Sequence, residues 1–411
     1  MINGADTGFV LISAALVMLM TAPGLAFFYG GLVRRKNVLS TMMQSFFLLC
    51  LLSVQWVLFG YSLAFGPDIC HVIGSLAWCG LHGVTMAPNS DYAATIPHLL
   101  FVTFQMMFAV ITPALITGAY AERIKFAGFI LFSLLWATFV YDPVCHVVWG
   151  SGGWLRQLGV LDFAGGIVVH ISSGMSALVC ALMLGKRKGF PHEPIPPHNM
   201  TYTLLGASLL WFGWFGFNAG SALGANELAV SAFLVTNTAA AVAALCWMAI
   251  EWLTAGKPTV LGGATGAVAG LATITPASGY VSVFSAIIIG ILAAGVCYVV
   301  VAIVKQKFSY DDSLDAFGVH GMGGLVGVIA TGFFAQKLIN PAGNNGLFFG
   351  NAHLLGVQTL AAVVVALFSM GATYIIFKLV DSTVGLRVNE EEESIGLDIT
   401  QHRESAYTIL D

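Results

Sequence analysis

Residues 162–174 read DFAGGIVVHISSG, a carboxylate followed eight positions later by an imidazole in a stretch otherwise apolar or small. A second imidazole recurs in DAFGVHGMGG, residues 315–324, again among glycines. An imidazole in apolar surroundings can donate one hydrogen bond and accept another, or relay a proton, and its uncharged form is the one such surroundings favour. A carboxylate at the mouth of the same stretch attracts positive charge, although LDFAGG also puts Asp162 where a helix cap belongs. Asp162, His170 and His320 are therefore the leading candidates for chemistry, against the plainer reading of two satisfied histidines cross-linking helices.

Aromatic residues give the second signal. Phe104 and Phe108 in FQMMF are one helical turn apart, Trp149 ends an apolar run, and GWFGFNAGSALGAN brings Phe217 and Ser221 close together. Rings converging on one mouth beside a hydroxyl and a carboxylate can attract a small cation, each cation–π contact contributing roughly 0.5–2 kcal/mol. Two imidazoles do not make a metal site, and neither HExxH nor C-x-x-C occurs. His192, Glu193 and His198 cluster only in a proline-rich loop, while His98 and His146 read as hydrogen-bonded histidines near helix ends. Nucleotide-binding and hydrolase signatures are missing, so the reading is of a protein that is not an enzyme and has no cofactor, metal or nucleic-acid partner.

The elements that carry these residues follow from composition: 58% hydrophobic, 9% charged, mean hydropathy +0.86. A soluble domain has about a quarter of its residues charged. Apolar runs near 8–30, 39–64, 97–119, 124–149, 163–185, 200–219, 226–253, 259–275, 280–304, 317–336 and 352–380 predict eleven transmembrane helices. A β-barrel would instead show segments of about ten residues with alternating polarity. No cationic segment precedes the first run, which therefore reads as a retained helix and not a cleaved signal.

Basic residues fall in alternate loops, at Arg34 to Lys36, Arg123 and Lys125, Lys186 to Lys188, Lys257, and Lys305 and Lys307. With Lys378, Arg387 and Arg403 at the tail, only Arg156 and Lys337 remain for the other side. The positive-inside rule makes the first side cytoplasmic, with the N-terminus outside and the C-terminus inside. Five cysteines lie in apolar runs as packing residues; Cys70 and Cys79, on the outer side, could chemically form a disulfide.

The chain reads as one membrane domain, residues 1–380, and a polar cytoplasmic tail, 381–411. If helices one to five form one unit and six to ten another, the odd count inverts the second relative to the first, and a substrate path lies at their interface. His170 and His320 then occupy corresponding helices. Helix eleven is an extra brace.

DFAGGIVVHISSG, DAFGVHGMGG, GWFGFNAGSALGAN, FYGGLVRRKNVLS, AERIKF and VGLRVNEEEESIGLD, six motifs in the right order along the chain and spread over nearly all of it, resemble the ammonium transporter family (Amt/Mep/Rh) on its Amt side. The resemblance implies an all-α membrane protein of two inverted five-helix repeats plus one helix, assembled as a homotrimer in the plasma (inner) membrane. It implies that Phe108, Trp149 and Ser221 recruit ammonium outside, with Asp162 below them organising the site without touching the ion. Phe104 and Phe217 would form a stacked gate below, and His170 and His320 would be hydrogen-bonded to each other in a narrow apolar pore. Ammonia would then cross, with or without a separately relayed proton. The tail would pack on the cytoplasmic face and help bind a trimeric PII-type signalling protein, against the plainer reading of Glu390 to Glu393 as a solvated acidic run.

Two rivals remain at this level: an ammonium sensor on the same fold that moves little, and a channel for another small neutral solute such as carbon dioxide. The basic asymmetry makes its own prediction. A reporter fused after Asp411 is expected in the cytoplasm and one inserted within 65–95 outside; accessibility labelling that finds both on one side would sink the count of eleven crossings.

Overall fold

The structure is a computed structural model and describes residues 1–407. It is built of eleven long helices: α1 (Gly4–Leu32), α2 (Arg35–Phe65), α3 (His98–Tyr120), α4 (Phe126–Gln157, broken after Trp149), α5 (Gly166–Leu184), α6 (Met200–Gly220), α7 (Glu227–Ala255), α8 (Val260–Ile274), α9 (Val283–Phe308), α10 (Phe317–Phe334) and α11 (Ala352–Thr383). Two short helices, α12 (Glu390–Ile395) and α13 (Leu397–His402), follow in the tail. The only paired strands among the described residues are the hairpin β1 (Asp68–Ile69) and β2 (Ile73–Gly74).

Nine of the eleven are long and apolar enough to cross a membrane. The others are α6, interrupted by small and polar residues, and α8, whose 15 residues span only about 22 Å. A helix shorter than the hydrocarbon is tolerated when protein and not lipid surrounds it, and α8 is buried from Ala264 through Ile274. Side chains such as Leu245, Phe284, Ile303, Leu367 and Ile375 form the exposed apolar belt of α7, α9 and α11, as lipid-facing helices require.

Alternate loops gather on two faces. The basic face collects the segments after α1, α3, α5 and α9 together with the tail, and the opposite face collects residues 66–97, 150–165, 221–226, 275–282 and 335–351. The two five-helix units show their relationship in the backbone. Wide π-type turns occupy Ala137–Tyr141 in α4 and Val299–Val304 in its counterpart α9, and again Gly166–Ile171 and Phe317–Gly321, the first turns of α5 and α10.

The tail is fastened rather than loose. Arg387 donates to the carbonyls of Leu184 and Lys186 and to Glu393, whose other oxygen takes the Lys188 N–H. Asp398 caps the start of α2 through the N–H groups of Leu39 and Ser40. Glu393 is buried, so the acidic run is not uniformly solvated. Residues 408–411 of the tail lie outside the described residues.

Beneath the tail, Glu122 accepts from the backbone and guanidinium of Arg34 at 2.6 and 2.9 Å and from Arg187 at 3.3 Å. Arg187 in turn forks onto Asp311 at 2.9 and 2.8 Å. Four inter-helix segments, those after α1, α3, α5 and α9, are thus locked by buried charge. Burial pushes the Glu122 carboxyl up, but Arg187 and Arg34 outweigh it and hold the group below the usual carboxylate value; burial and Arg187 act the same way on Asp311. A carboxyl depressed in the folded state stabilises fully above its unfolded value, about 4, and loses that contribution as pH falls through the lower folded value. Glu122→Gln is expected to cost about 2–3 kcal/mol at neutral pH and to flatten the acid fall in melting temperature. An unchanged melting temperature and acid limb would contradict the role given to this network.

Candidate functional site

The sequence candidates converge along one line through the molecule. On the face opposite the basic one, Trp149, Asp162 and Ser221 line an open cavity of about 550 Å³, with Tyr92, Tyr280 and Asn344 among its other walls. Trp149 ends the helical part of α4, and its indole N–H donates to the Asp162 carbonyl at 2.8 Å. Ser221 closes α6, its hydroxyl donating to Phe217 one turn below.

Asp162 is almost wholly buried at the cavity wall, and its carboxylate takes four backbone N–H groups, those of Gly165, Gly166, Ile167 and Val168, at 2.6–3.1 Å. Burial pushes this carboxyl up while the four N–H groups pull it back. The cap geometry foreseen from LDFAGG is therefore present: the charge is aimed at the start of α5 and reaches the cavity through space.

Below the cavity floor lie the phenylalanines. Phe108 stands edge-on to Trp149 at 5.9 Å and stacks on Phe217 at 4.2 Å and 24°, while Phe104 meets Phe108 edge-on at 5.0 Å. This corrects the expected pairing of Phe104 with Phe217. Because α3 starts on this face, the lower residue number lies nearer the surface, so Phe108 and not Phe104 is the deeper ring and the one in register with Phe217.

One layer deeper, His170 lies 6.2 Å from Phe217, stacks on Trp214 at 5.6 Å and faces His320 at 5.2 Å with the rings nearly parallel, 14° apart. The expected hydrogen bond between the two imidazoles is not formed. Both nitrogens of His170 and Nδ1 of His320 are buried without a protein partner. His320 then lines a second cavity of about 310 Å³ on the basic face, with Tyr29, Thr265, Lys305 and Asp315.

The two imidazoles meet because their helices touch backbone to backbone. A Cβ on Gly174 would stand 2.0 Å from the Gly321 nitrogen, and one on Gly324 would meet the Gly166 carbonyl and the His170 Cβ at 3.0 Å. Gly174 follows His170 by one turn and Gly321 follows His320 directly, so no side chain can hold the rings apart.

Other expectations resolve simply. His98 shares a hydrogen bond with the Tyr61 hydroxyl, and His146 bonds the Ala64 carbonyl and Asp68, each at 2.9 Å. His198 is tied to Val33 and Tyr407. Cys70 and Cys79 are not bridged. Among the described residues no three His, Cys, Asp or Glu side chains are placed to hold a metal ion.

Three residues were missed. Asp312 precedes His320 by the same eight positions that separate Asp162 from His170, and it caps the start of α10 through the Ala316 and Phe317 N–H groups; the repeated spacing was a signal available in the sequence. Asp142, fully buried in α4, accepts from Gln55 at 2.9 Å. Gln358, in α11, bonds the segment that carries Asp162. A lone glutamine or aspartate gives no periodic signal.

The family model for the Ammonium Transporter Family matches residues 8–407. The chain is 55% identical over 402 residues to an ammonium transporter of Bacillus subtilis, covering 98% of each chain. It is 50% identical over 407 residues to the ammonium transporter Amt1 of Archaeoglobus fulgidus, covering 99% of this chain and all of that one. Among solved structures, it superposes on Saccharomyces cerevisiae Mep2 with a TM-score of 0.89 at 35% identity, over 95% of this chain and 88% of that one. A sensor Amt protein matches with a TM-score of 0.89 at 30% identity, over 97% and 98%.

The glycine contact yields a test. Gly174→Ala is expected to lower stability by about 1–3 kcal/mol, whereas Gly371→Ala, where an added Cβ meets nothing within 4 Å, should be neutral or mildly stabilising. Equal melting temperatures in detergent for the two variants would mean that the backbone contact is not tight.

Proposed function

Since the chain belongs to the ammonium transporter family, we propose that it takes up ammonium at the Trp149 cavity, where the ion gives up a proton either to the solvent of that open cavity or to a separate relay, and passes ammonia between His170 and His320 to the basic face. The supporting observation is the single column of cavity, stacked phenylalanines, paired imidazoles and second cavity. The cavity offers an indole face, a hydroxyl and the field of a buried carboxylate, which suit a small cation. The layer beneath offers fully buried rings, where a bare cation loses its hydration at a cost of many kcal/mol. Ammonia is uncharged and needs only a donor and an acceptor, which unpartnered imidazole nitrogens supply.

In this reading Phe108, Trp149 and Ser221 recruit the ion, and Asp162 supplies charge without contact. Phe108 and Phe217 close the way, with Phe104 packed behind them. The Trp149 cavity faces outside and the tail faces the cytoplasm of a plasma-membrane protein. Three chains assemble as a homotrimer with one path each, and a PII-type protein docks on the basic face against the tail. The likeness to a sensor Amt protein keeps one second reading alive, a receptor that binds ammonium and moves little.

Proteoliposomes given an ammonium jump separate the readings. A saturable flux in the wild type, altered sharply in His170→Ala and His320→Ala that insert and assemble normally, is the expected outcome. Ammonium binding without net flux favours the sensor. A well-folded double alanine variant with wild-type flux and selectivity would reduce the two histidines to packing residues.

A further inference from the structure

The segment that carries Asp162 is irregular, and it is held from the helix that belongs to neither five-helix unit. Gln358 of α11 is fully buried. Its Oε1 accepts the Leu161 N–H at 2.8 Å, and its Nε2 donates to the Leu161 carbonyl at 2.8 Å and to the Val328 carbonyl in α10 at 3.3 Å. Both backbone polar groups of Leu161 thus find their partner in one side-chain amide. The next residue is Asp162, whose carbonyl holds the Trp149 indole and whose carboxylate caps α5. Phe163 N–H then bonds the Pro276 carbonyl. Gln358 therefore joins the mouth of the first unit to α10 of the second, at the point where Gly332 lets α10 and α11 approach closely.

We propose that Gln358 is a positioning residue for ammonium recruitment: by gripping the Leu161 peptide it sets the height of Asp162 and, through the Asp162 carbonyl, the orientation of the Trp149 indole. This rests on the reading of Trp149, Ser221 and Asp162 as the recruitment site. Gln358 does not touch the ion. An amide suits the task because it presents a donor and an acceptor side by side, matching the N–H and C=O of one residue. Leucine has neither, asparagine is one methylene too short, and glutamate has the donor only when protonated. Loss of the grip leaves two buried backbone groups unpaired, a cost that the segment relieves by shifting toward the water of the cavity.

The test is the concentration dependence of ammonium uptake in proteoliposomes for the wild type, Gln358→Leu, Gln358→Glu and Trp149→Leu, normalised to inserted trimer. Gln358→Leu is expected to raise the half-saturating concentration about tenfold with maximal flux changed less than about twofold, because the pore below is untouched. Gln358→Glu should recover affinity as pH falls, since a protonated carboxyl restores the donor; a helix brace alone has no such dependence. If Trp149→Leu shifts the half-saturation and neither Gln358 variant does, the positioning role is overturned and the recruitment site stands. If Trp149→Leu shifts nothing, the recruitment reading fails and this one with it. Should Gln358→Leu not accumulate, the glutamate variant carries the test; absence of both from the membrane assigns Gln358 to folding and overturns the proposal.

Discussion

The contact of α5 with α10 at Gly174 and Gly321 is the constraint from which the rest of the site follows. Two helix backbones in van der Waals contact leave their neighbouring side chains no freedom to part, and those side chains are His170, one turn before Gly174, and His320, next to Gly321. Each helix opens with a π-type turn and an aspartate cap eight residues before its histidine, which turns the ring toward the shared axis at the same depth from either end. An inverted repeat needs only this one crossing to place equivalent groups face to face, because the symmetry supplies the second half of the geometry.

The imidazole layer leaves polar atoms open. A buried nitrogen without a partner costs about 1–3 kcal/mol, and three belong to His170 and His320. Trp214, stacked on His170, is by contrast satisfied through its N–H on Thr275. Open imidazole nitrogens on the axis suit a passing molecule of ammonia's size and polarity. In the proposed path the phenylalanine stack above it would delay a hydrated cation, and the Asp162 charge, already engaged by four N–H groups, would draw the cation close without trapping it.

Much of this was legible in the residues. Hydropathy and the alternation of basic loops gave the helices and their directions, including α8, because apolar length depends only on composition. The helix-cap reading of Asp162 followed from LDFAGG, the inverted repeat put His170 and His320 in corresponding helices, and their pairing was what the family resemblance implied. The ring layer was misread: α3 starts on the face opposite the basic one, which already places Phe108 deeper than Phe104, but the pairing taken from the resemblance set Phe104 against Phe217. Gln358 and Asp142 stayed hidden since a single polar residue in an apolar helix does not announce which distant peptide or amide it serves.

The central claim is that the cation stops above the imidazoles and only the uncharged molecule passes. Potassium has nearly the size and charge of ammonium but no proton to give up. Tracer potassium flux through the wild-type protein in liposomes, measured beside ammonium flux in the same preparation, tests the claim most directly. Ammonium flux with potassium flux no greater than that of protein-free vesicles is the predicted result. Potassium flux comparable to that of ammonium would show that a bare cation traverses the axis, and would contradict the account.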